Sequence, residues 1–492
     1  MYTPSGYGAL PRHSVEGGLY PTQTPHHEAA HGDDKEIIYR ELALLSRYTA
    51  SIWATHLLEL SLSMVSVFSL GHLGTLELAA ASLAGMTANV TGFSMISGLV
   101  CALDTLLPAT YVRQPRYMGL WTQRVGVVVF CVIPLIILLW LNAERGLLLL
   151  GQDPEIAHLA RQFLAVLAIG LPGHAVFELC RRFLQAQGMM HAPTVVLLVV
   201  SPINAVANYL LVWGPHKMRF GFLGAPMASA ISMWLMAVLC MLQCALVAHK
   251  NGTWGGWSYK AFDPAGLRVC VALGFAGVLS LASEWWAWEI VGLVTAALGT
   301  TSLAAQSVLL ITSSVTYQLP YGASVAAAVR VGNLLGGGHM SDARLASLAS
   351  LLLSVIIGML NSSVVYVSRD KWGYLFSNDV EVIRLVASVL PILAIFQCAD
   401  CICGVAGGIL RGSGRQSLSA AINLTSYYVI GMPMCLFLAF GPLHMGLRGL
   451  WWGLTVALVY GAGIALFYVW YTDWTDVMHR LHRSMSVDDE HV

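Results

Sequence analysis

Long apolar runs separated by short polar breaks fill almost the whole chain. Twelve runs reach the roughly 20 mostly apolar residues that a membrane-spanning helix needs. They centre near residues 58, 92, 131, 167, 202, 235, 284, 315, 355, 397, 429 and 459. The pattern predicts an all-α membrane protein of twelve transmembrane helices, with breaks too short to hold a soluble domain. Three stretches interrupt the rhythm. Residues 1–40 are polar and rich in Gly, Pro and His, and read as a disordered tail. Residues 249–265, with Asn251-Gly252 and Gly255-Gly256, read as a linker, and 473–492 as a second tail. The linker leaves two lobes of six spans each, 41–248 and 266–472.

The two halves repeat each other. Leu73-Gly74-Thr75-Leu76-Glu77-Leu78-Ala79-Ala80-Ala81-Ser82-Leu83 matches Leu298-Gly299-Thr300-Thr301-Ser302-Leu303-Ala304-Ala305-Gln306-Ser307-Val308 at seven of eleven positions, offset by 225 residues. Leu184-Gln185-Ala186-Gln187-Gly188 likewise matches Leu410-Arg411-Gly412-Ser413-Gly414 at an offset of 226. Six spans per copy is an even number, so both copies point the same way through the bilayer. The axis relating them should run along the membrane normal, as in two-lobed carriers that rock between access states.

Composition sharpens this picture. The chain is 57% hydrophobic and 11% charged, against roughly 25% charged in soluble domains. Its net charge of zero argues against nucleic-acid binding. The ten cysteines sit in apolar stretches and read as free, buried thiols rather than a disulfide framework. No charged start leads into a short apolar run, so no cleavable signal is expected. With both termini in the cytoplasm, eighteen of the twenty-six Lys and Arg fall on the inner side, the orientation the positive-inside rule favours. The sequon Asn251-Gly252-Thr253 is then cytoplasmic. A monomer is expected, and plasma and vacuolar membranes are both open.

Ionisable groups at membrane depth cost about 2.5–3.5 kcal/mol on insertion scales, and therefore mark function or paired structure. Glu59, Asp104, Glu178, Glu284, Glu289 and Asp400 are deep, with His56 and His174 nearby. Glu59 and Glu284 are related by the 225-residue offset, and His174 and Asp400 by 226. Glu284 and Glu289 flank Trp285-Trp286-Ala287-Trp288. A spacing of five places them about 140° apart on a helix, so they should not share one cavity wall. The tryptophans suit either a lipid interface or a cation–π wall. Glu178 precedes Arg181 and Arg182 by one turn and reads as a local ion pair. Asp104 reads more readily as lobe packing than transport, and Glu77 as a solvated loop residue. Cys398-Ala399-Asp400-Cys401 and Cys403 offer too few polar ligands for a metal, and none is expected. The acids are scattered over several helices, without the clustered groups of an enzyme.

Several strings together resemble the multidrug and toxic-compound extrusion (MATE) family, especially its eukaryotic, fungal-type branch, over about residues 45–470. They are Cys101-Ala102-Leu103-Asp104-Thr105-Leu106, Arg182-Phe183-Leu184-Gln185-Ala186-Gln187-Gly188, the Glu284–Glu289 segment, Ala304-Ala305-Gln306-Ser307, Tyr317-Gln318-Leu319-Pro320-Tyr321-Gly322, Arg330-Val331-Gly332-Asn333-Leu334-Leu335-Gly336 and Leu410-Arg411-Gly412-Ser413-Gly414. The resemblance implies two six-helix bundles around a cleft, exporting organic, often cationic aromatic compounds by proton antiport. Sodium coupling or lipid-linked precursor flipping are the alternatives. It requires no cofactor beyond the coupling ion. It implies that Glu284, Glu289 and Asp400 occupy the second-lobe acidic positions on which proton coupling and substrate binding depend, that Tyr317 is the tyrosine ahead of the span-eight proline, and that Glu59 sits where many relatives have glutamine or another polar residue. Gln306, Asp104 and His174 are secondary candidates. Two departures stand out: Ala109 replaces a usual glutamine, and Ser302 an acid of animal members.

Overall fold

A computed structural model describes residues 34–215 and 219–485. Among the described residues there is no strand. Long helices occupy each of the twelve predicted centres: α1 Asp34–Gly71, α2 Thr75–Arg113, α3 Pro115–Leu141, α4 the pair Pro154–Leu167 and Leu171–Ala186, α5 Ala192–Trp213 and α6 Gly221–Asn251. The second half continues with α7 Pro264–Ala296, α8 Thr300–Gly336, α9 Met340–Leu375, α10 Val380–Gly412, α11 Gln416–Phe440 and α12 Leu447–Trp470. Ten of these are each long and apolar enough to cross a membrane, and the α4 pair, bent by 53°, makes an eleventh. The 37-residue α8 has the length without the apolarity. Its Thr312, Thr316, Tyr317, Tyr321 and Ser324 turn to polar partners inside the bundle.

The packing repeats with the sequence. α1 runs along α5 as α7 runs along α11, α4 along α6 as α10 along α12, and α2 along α4 as α8 along α10. The lobes meet by the same exchange, α1 against α8 and α7 against α2. The duplication also survives in the backbone. Gly188 ends α4 at φ 78° and Gly414 ends α10 at φ 75°, the left-handed conformation that glycine enters without a Cβ penalty. In both copies the next amide reaches back to the same carbonyl: Met189 N–H donates to Leu184 at 3.1 Å, and Arg415 N–H to Leu410 at 2.8 Å.

Glycines bring the lobes close. A Cβ on Gly277 of α7 would lie 2.2 Å from the Gly98 carbonyl oxygen of α2, and one on Gly336 of α8 would lie 2.4 Å from that of Ala109. Small residues at helix crossings permit such backbone approach. Because the obstacle is backbone, Gly277→Ala should cost about 1–3 kcal/mol, the usual range for overpacking. A lowered thermal midpoint of the purified protein checks this.

Three segments differ from their expected form. The helix α1 already begins at Asp34, inside the 1–40 tail, whose residues 1–33 lie outside the described residues. Glu77 is in the first turn of α2 rather than a loop. The C-terminal tail contains a helix, α13 Trp474–Met485, because Val477 and Leu481 bury one face in the core with Leu45 and Val469; residues 486–492 lie outside the described residues. The linker is docked on α3. The Arg124 guanidinium donates to the Lys260 carbonyl at 3.2 and 3.3 Å, and Gln123 donates to that of Gly256 at 2.9 Å. Within the sequon, the Asn251 amide donates to Gln187 Oε1 at 3.0 Å, and Thr253 is buried. All ten cysteines are free thiols.

Candidate functional site

Polar residues of the second lobe recur at helical spacing, and their stripes converge. Gly277, Ser280 and Glu284 on α7, Tyr317, Tyr321 and Ser324 on α8, Asp400, Cys403, Gly407 and Arg411 on α10, and Ser419, Asn423 and Tyr427 on α11 line one cavity. Cys101 of α2 closes it from the first lobe. The empty space is about 640 Å³, its open mouth included. Two carboxyl groups, three phenols and one guanidinium thus face each other in an otherwise apolar bundle. Glu284 and Asp400 open onto the same cavity from α7 and α10.

Backbone chemistry places the phenols. Pro320 has no N–H, so the carbonyl of Thr316 one turn earlier loses its helical partner. Asn361 of α9 supplies one, donating to the Thr316 oxygen at 3.1 Å, and Gln397 donates to the Thr316 hydroxyl at 2.8 Å. This satisfies the backbone beside Pro320, between Tyr317 and Tyr321, whose rings lie 6.1 Å apart. Asn361→Leu should therefore cost about 1–3 kcal/mol by orphaning a buried carbonyl, read as a lowered thermal midpoint. On α11, Tyr427 falls within a π-helical widening, Thr425–Gly431, a distortion that recurs at functional sites.

Of the expected site residues, the structure brings Glu284, Asp400 and Tyr317 together and leaves the others apart. Glu289 is half-buried outside the cavity, on a different side of α7 from Glu284. Gln306 is buried beneath an aromatic cluster, accepting from Trp451 Nε1 at 2.9 Å. The tryptophans of α7 do not line the cavity among the described residues. Trp288 packs on Phe396 and Trp451, and Trp286 is exposed and donates to the Val90 carbonyl at 3.3 Å.

The first-lobe groups form an ionic chain beside the cavity. Glu59 meets His56 at 2.8 Å and Arg181 at 2.7 Å, and Arg181 also holds Glu178 at 2.5 Å. His174 stacks edge-on against Phe93, with its Nε2 buried and lacking a hydrogen-bond partner among the described residues. Arg182 turns away from Glu178 to Asp104 at 3.2 Å and donates to the Tyr321 hydroxyl at 3.3 Å. Asp104 also faces Arg411, so it bridges the lobes.

That bridge has company. The Thr105 hydroxyl donates to the Arg411 carbonyl at 2.5 Å, and Gln416 donates to that of Cys101 at 2.6 Å. Arg330 of α8 forks onto Glu41 of α1 at 2.6 and 2.7 Å. These contacts tie the lobes together at the end of the bundle where α2, α4, α8 and α10 finish.

Comparison with known proteins points one way. The MatE family model matches residues 52–210 and 277–437, one block in each lobe. An uncharacterized transporter of Schizosaccharomyces pombe is 39% identical over 91% of this chain and 82% of its own length. Human multidrug and toxin extrusion protein 1 is 34% identical over 91% of this chain and 78% of its own. The crystal structure of the eukaryotic MATE transporter AtDTX14 superposes with a TM-score of 0.84 at 30% identity, covering 92% of this chain and all of that one. The Vibrio cholerae transporter VcmN, at 17% identity and a TM-score of 0.79, shares the fold.

Proposed function

The chain belongs to the MATE family of multi-pass membrane transporters, and we propose that it exports cationic, aromatic organic compounds in exchange for protons. The observation that carries this reading is the cavity itself. Glu284 and Asp400 supply negative charge, and Tyr317, Tyr321 and Tyr427 supply π faces that attract a flat cation. An anionic lipid head group would meet two like charges there, which disfavours the flippase reading.

The transport cycle uses charge as its currency. With the cavity open to the cytoplasm, ionised carboxylates hold the organic cation. The lobes then rock about the α1–α8 and α7–α2 seams, and the cavity opens outward. Protons from that side neutralise the carboxyls, and the cation, deprived of its counter-charge, leaves. The protonated carrier returns, releases its protons inside, and is ready again. Asp104, Arg330 and Glu41 tie the ends of the helices that the charge pattern assigns to the cytoplasm, which supports assigning this arrangement to the outward-facing part of the proposed cycle. Glu289, Glu59 and His174 stay outside this scheme as supporting groups, and the protein works as a monomer.

Substrate class is tested in cells. Cells producing the protein should accumulate less of an aromatic organic cation than control cells, with organic anions unaffected. Exclusion of anions and not cations contradicts the proposal.

A further inference from the structure

The linker between the lobes has a fastened backbone, yet it displays aromatic side chains that nothing in the chain covers. The buried Gln123 side chain donates to the Gly256 carbonyl at 2.9 Å and accepts from the Ser258 N–H at 3.1 Å. Arg124 holds the Lys260 carbonyl. Trp254 packs edge-on against Phe183 and lies on Gly119, where an added Cβ would stand 2.9 Å from the indole ring. From this platform Trp257, Tyr259 and Phe262 project with exposures of 86%, 96% and 62%. Apolar groups left clustered on a surface mark an interaction site.

The charge around these rings is almost all of one sign. Lys250, Lys260 and Arg268 flank them along the chain, and Arg113 and Arg116 stand where α2 meets α3. All five are exposed, and none is in an ion pair among the described residues. The one acid of the linker, Asp263, is already engaged: it faces Arg124 at 3.8 Å and accepts from the Gly266 N–H at 3.0 Å. The linker also passes directly over Arg116, since a Cβ on Gly255 would lie 3.2 Å from the Arg116 carbonyl oxygen. The two basic segments therefore form one surface. Beyond Phe262, Arg268, Val271 and Phe275 share one face of α7, with Val271 49% and Phe275 60% exposed. The aromatic edge thus leads onto an apolar flank of a helix long enough to cross the bilayer.

We propose that this surface docks onto anionic phospholipids of the cytoplasmic leaflet, with the three rings in the head-group layer and the five cations on the lipid phosphates and carboxylates. The occupant follows from complementarity. Aromatic rings favour the head-group level of a bilayer, and the cytoplasmic leaflet carries a negative potential that attracts nearby Lys and Arg. The charge pattern of the chain assigns the linker to that side. A soluble partner would not need the rings to lead onto a spanning helix. The linker is fastened to α3 of the first lobe and runs into α7 of the second, so lipid contact here fixes the depth of the covalent joint between the lobes. The inference does not depend on what the cavity carries.

The test is amide hydrogen exchange of residues 255–263 in the purified full-length protein, held in nanodiscs of phosphatidylcholine alone or mixed with phosphatidylserine. Exchange should be slower in the mixed discs by at least about fivefold, the contribution of a single Lys or Arg at an anionic surface. Two variants, each checked for a monodisperse elution profile, remove the two halves of the surface. Trp257→Ser/Tyr259→Ser/Phe262→Ser and Arg116→Gln/Lys260→Gln/Arg268→Gln should each exchange equally fast in both discs. All six side chains are exposed, so both variants should fold; if one does not, the wild type and the other variant decide. Glycerophosphoserine added to the phosphatidylcholine discs should leave exchange unchanged. Equal exchange of the wild type in the two discs, or a phosphatidylserine effect that either variant keeps, overturns the inference. Slowing by free glycerophosphoserine assigns the surface to a soluble phosphate ester and overturns it as well.

Discussion

Asp400→Asn should reduce proton-driven export to the background of protein-free vesicles while the variant folds and inserts normally. The carboxyl is buried in the cavity with Glu284, and in the proposed cycle its charge alternates between holding a cation and being neutralised by a proton. Asparagine has nearly the same shape and remains neutral at every pH. The variant therefore resembles a permanently protonated carrier, without the charge that recruits substrate. Because an uncompensated buried carboxylate is costly, removing the charge should leave the thermal midpoint unchanged or raised. Flux and stability should thus separate. Measured together on one preparation, substantial remaining flux in a well-folded Asp400→Asn protein removes this residue from the coupling role.

Arg181→Gln should have the opposite profile, with stability lost first. Arg181 is 4% exposed and holds two carboxylates, Glu178 at 2.5 Å and Glu59 at 2.7 Å. Deleting one partner from a buried ionic cluster leaves uncompensated charge and costs about 3–5 kcal/mol, and here two acids are stranded at membrane depth. A large drop in thermal midpoint, or failure to recover a monodisperse protein, is expected. The double variant Arg181→Gln/Glu178→Gln should regain part of the loss. Flux lost in a protein of unchanged stability would instead place this ionic chain in the transport cycle itself.

The span pattern was legible because the bilayer leaves little choice. A backbone in hydrocarbon must satisfy its own hydrogen bonds, so each apolar run becomes a helix. The glycine pair Gly188 and Gly414 marked the repeat, since both copies need the same left-handed cap. Isolated acids pointed to Glu284 and Asp400 because buried carboxyls are rare. Other features depended on contacts that local sequence does not carry. The approach of Asp104 to Arg411 joins residues some 300 positions apart. The aromatic lining turned out to be tyrosine rather than the conspicuous tryptophans, since Trp288 is needed to fill the core with Phe396 and Trp451. A signal for the rest was present in the spacing of Ser419, Asn423 and Tyr427. Four-residue steps put these polar residues on one face of an apolar helix. The α13 helix carries a similar signal in Val477 and Leu481, four residues apart amid charged neighbours.

The central claim, cation export driven by protons, is tested most directly in proteoliposomes holding the purified protein. A fluorescent aromatic cation is added outside, and uptake is followed under an outward proton gradient and then under an outward sodium gradient of equal size. Uptake that requires the proton gradient, ignores the sodium gradient and disappears in Asp400→Asn is the predicted result. Uptake driven by sodium alone, or no uptake under either gradient, contradicts it.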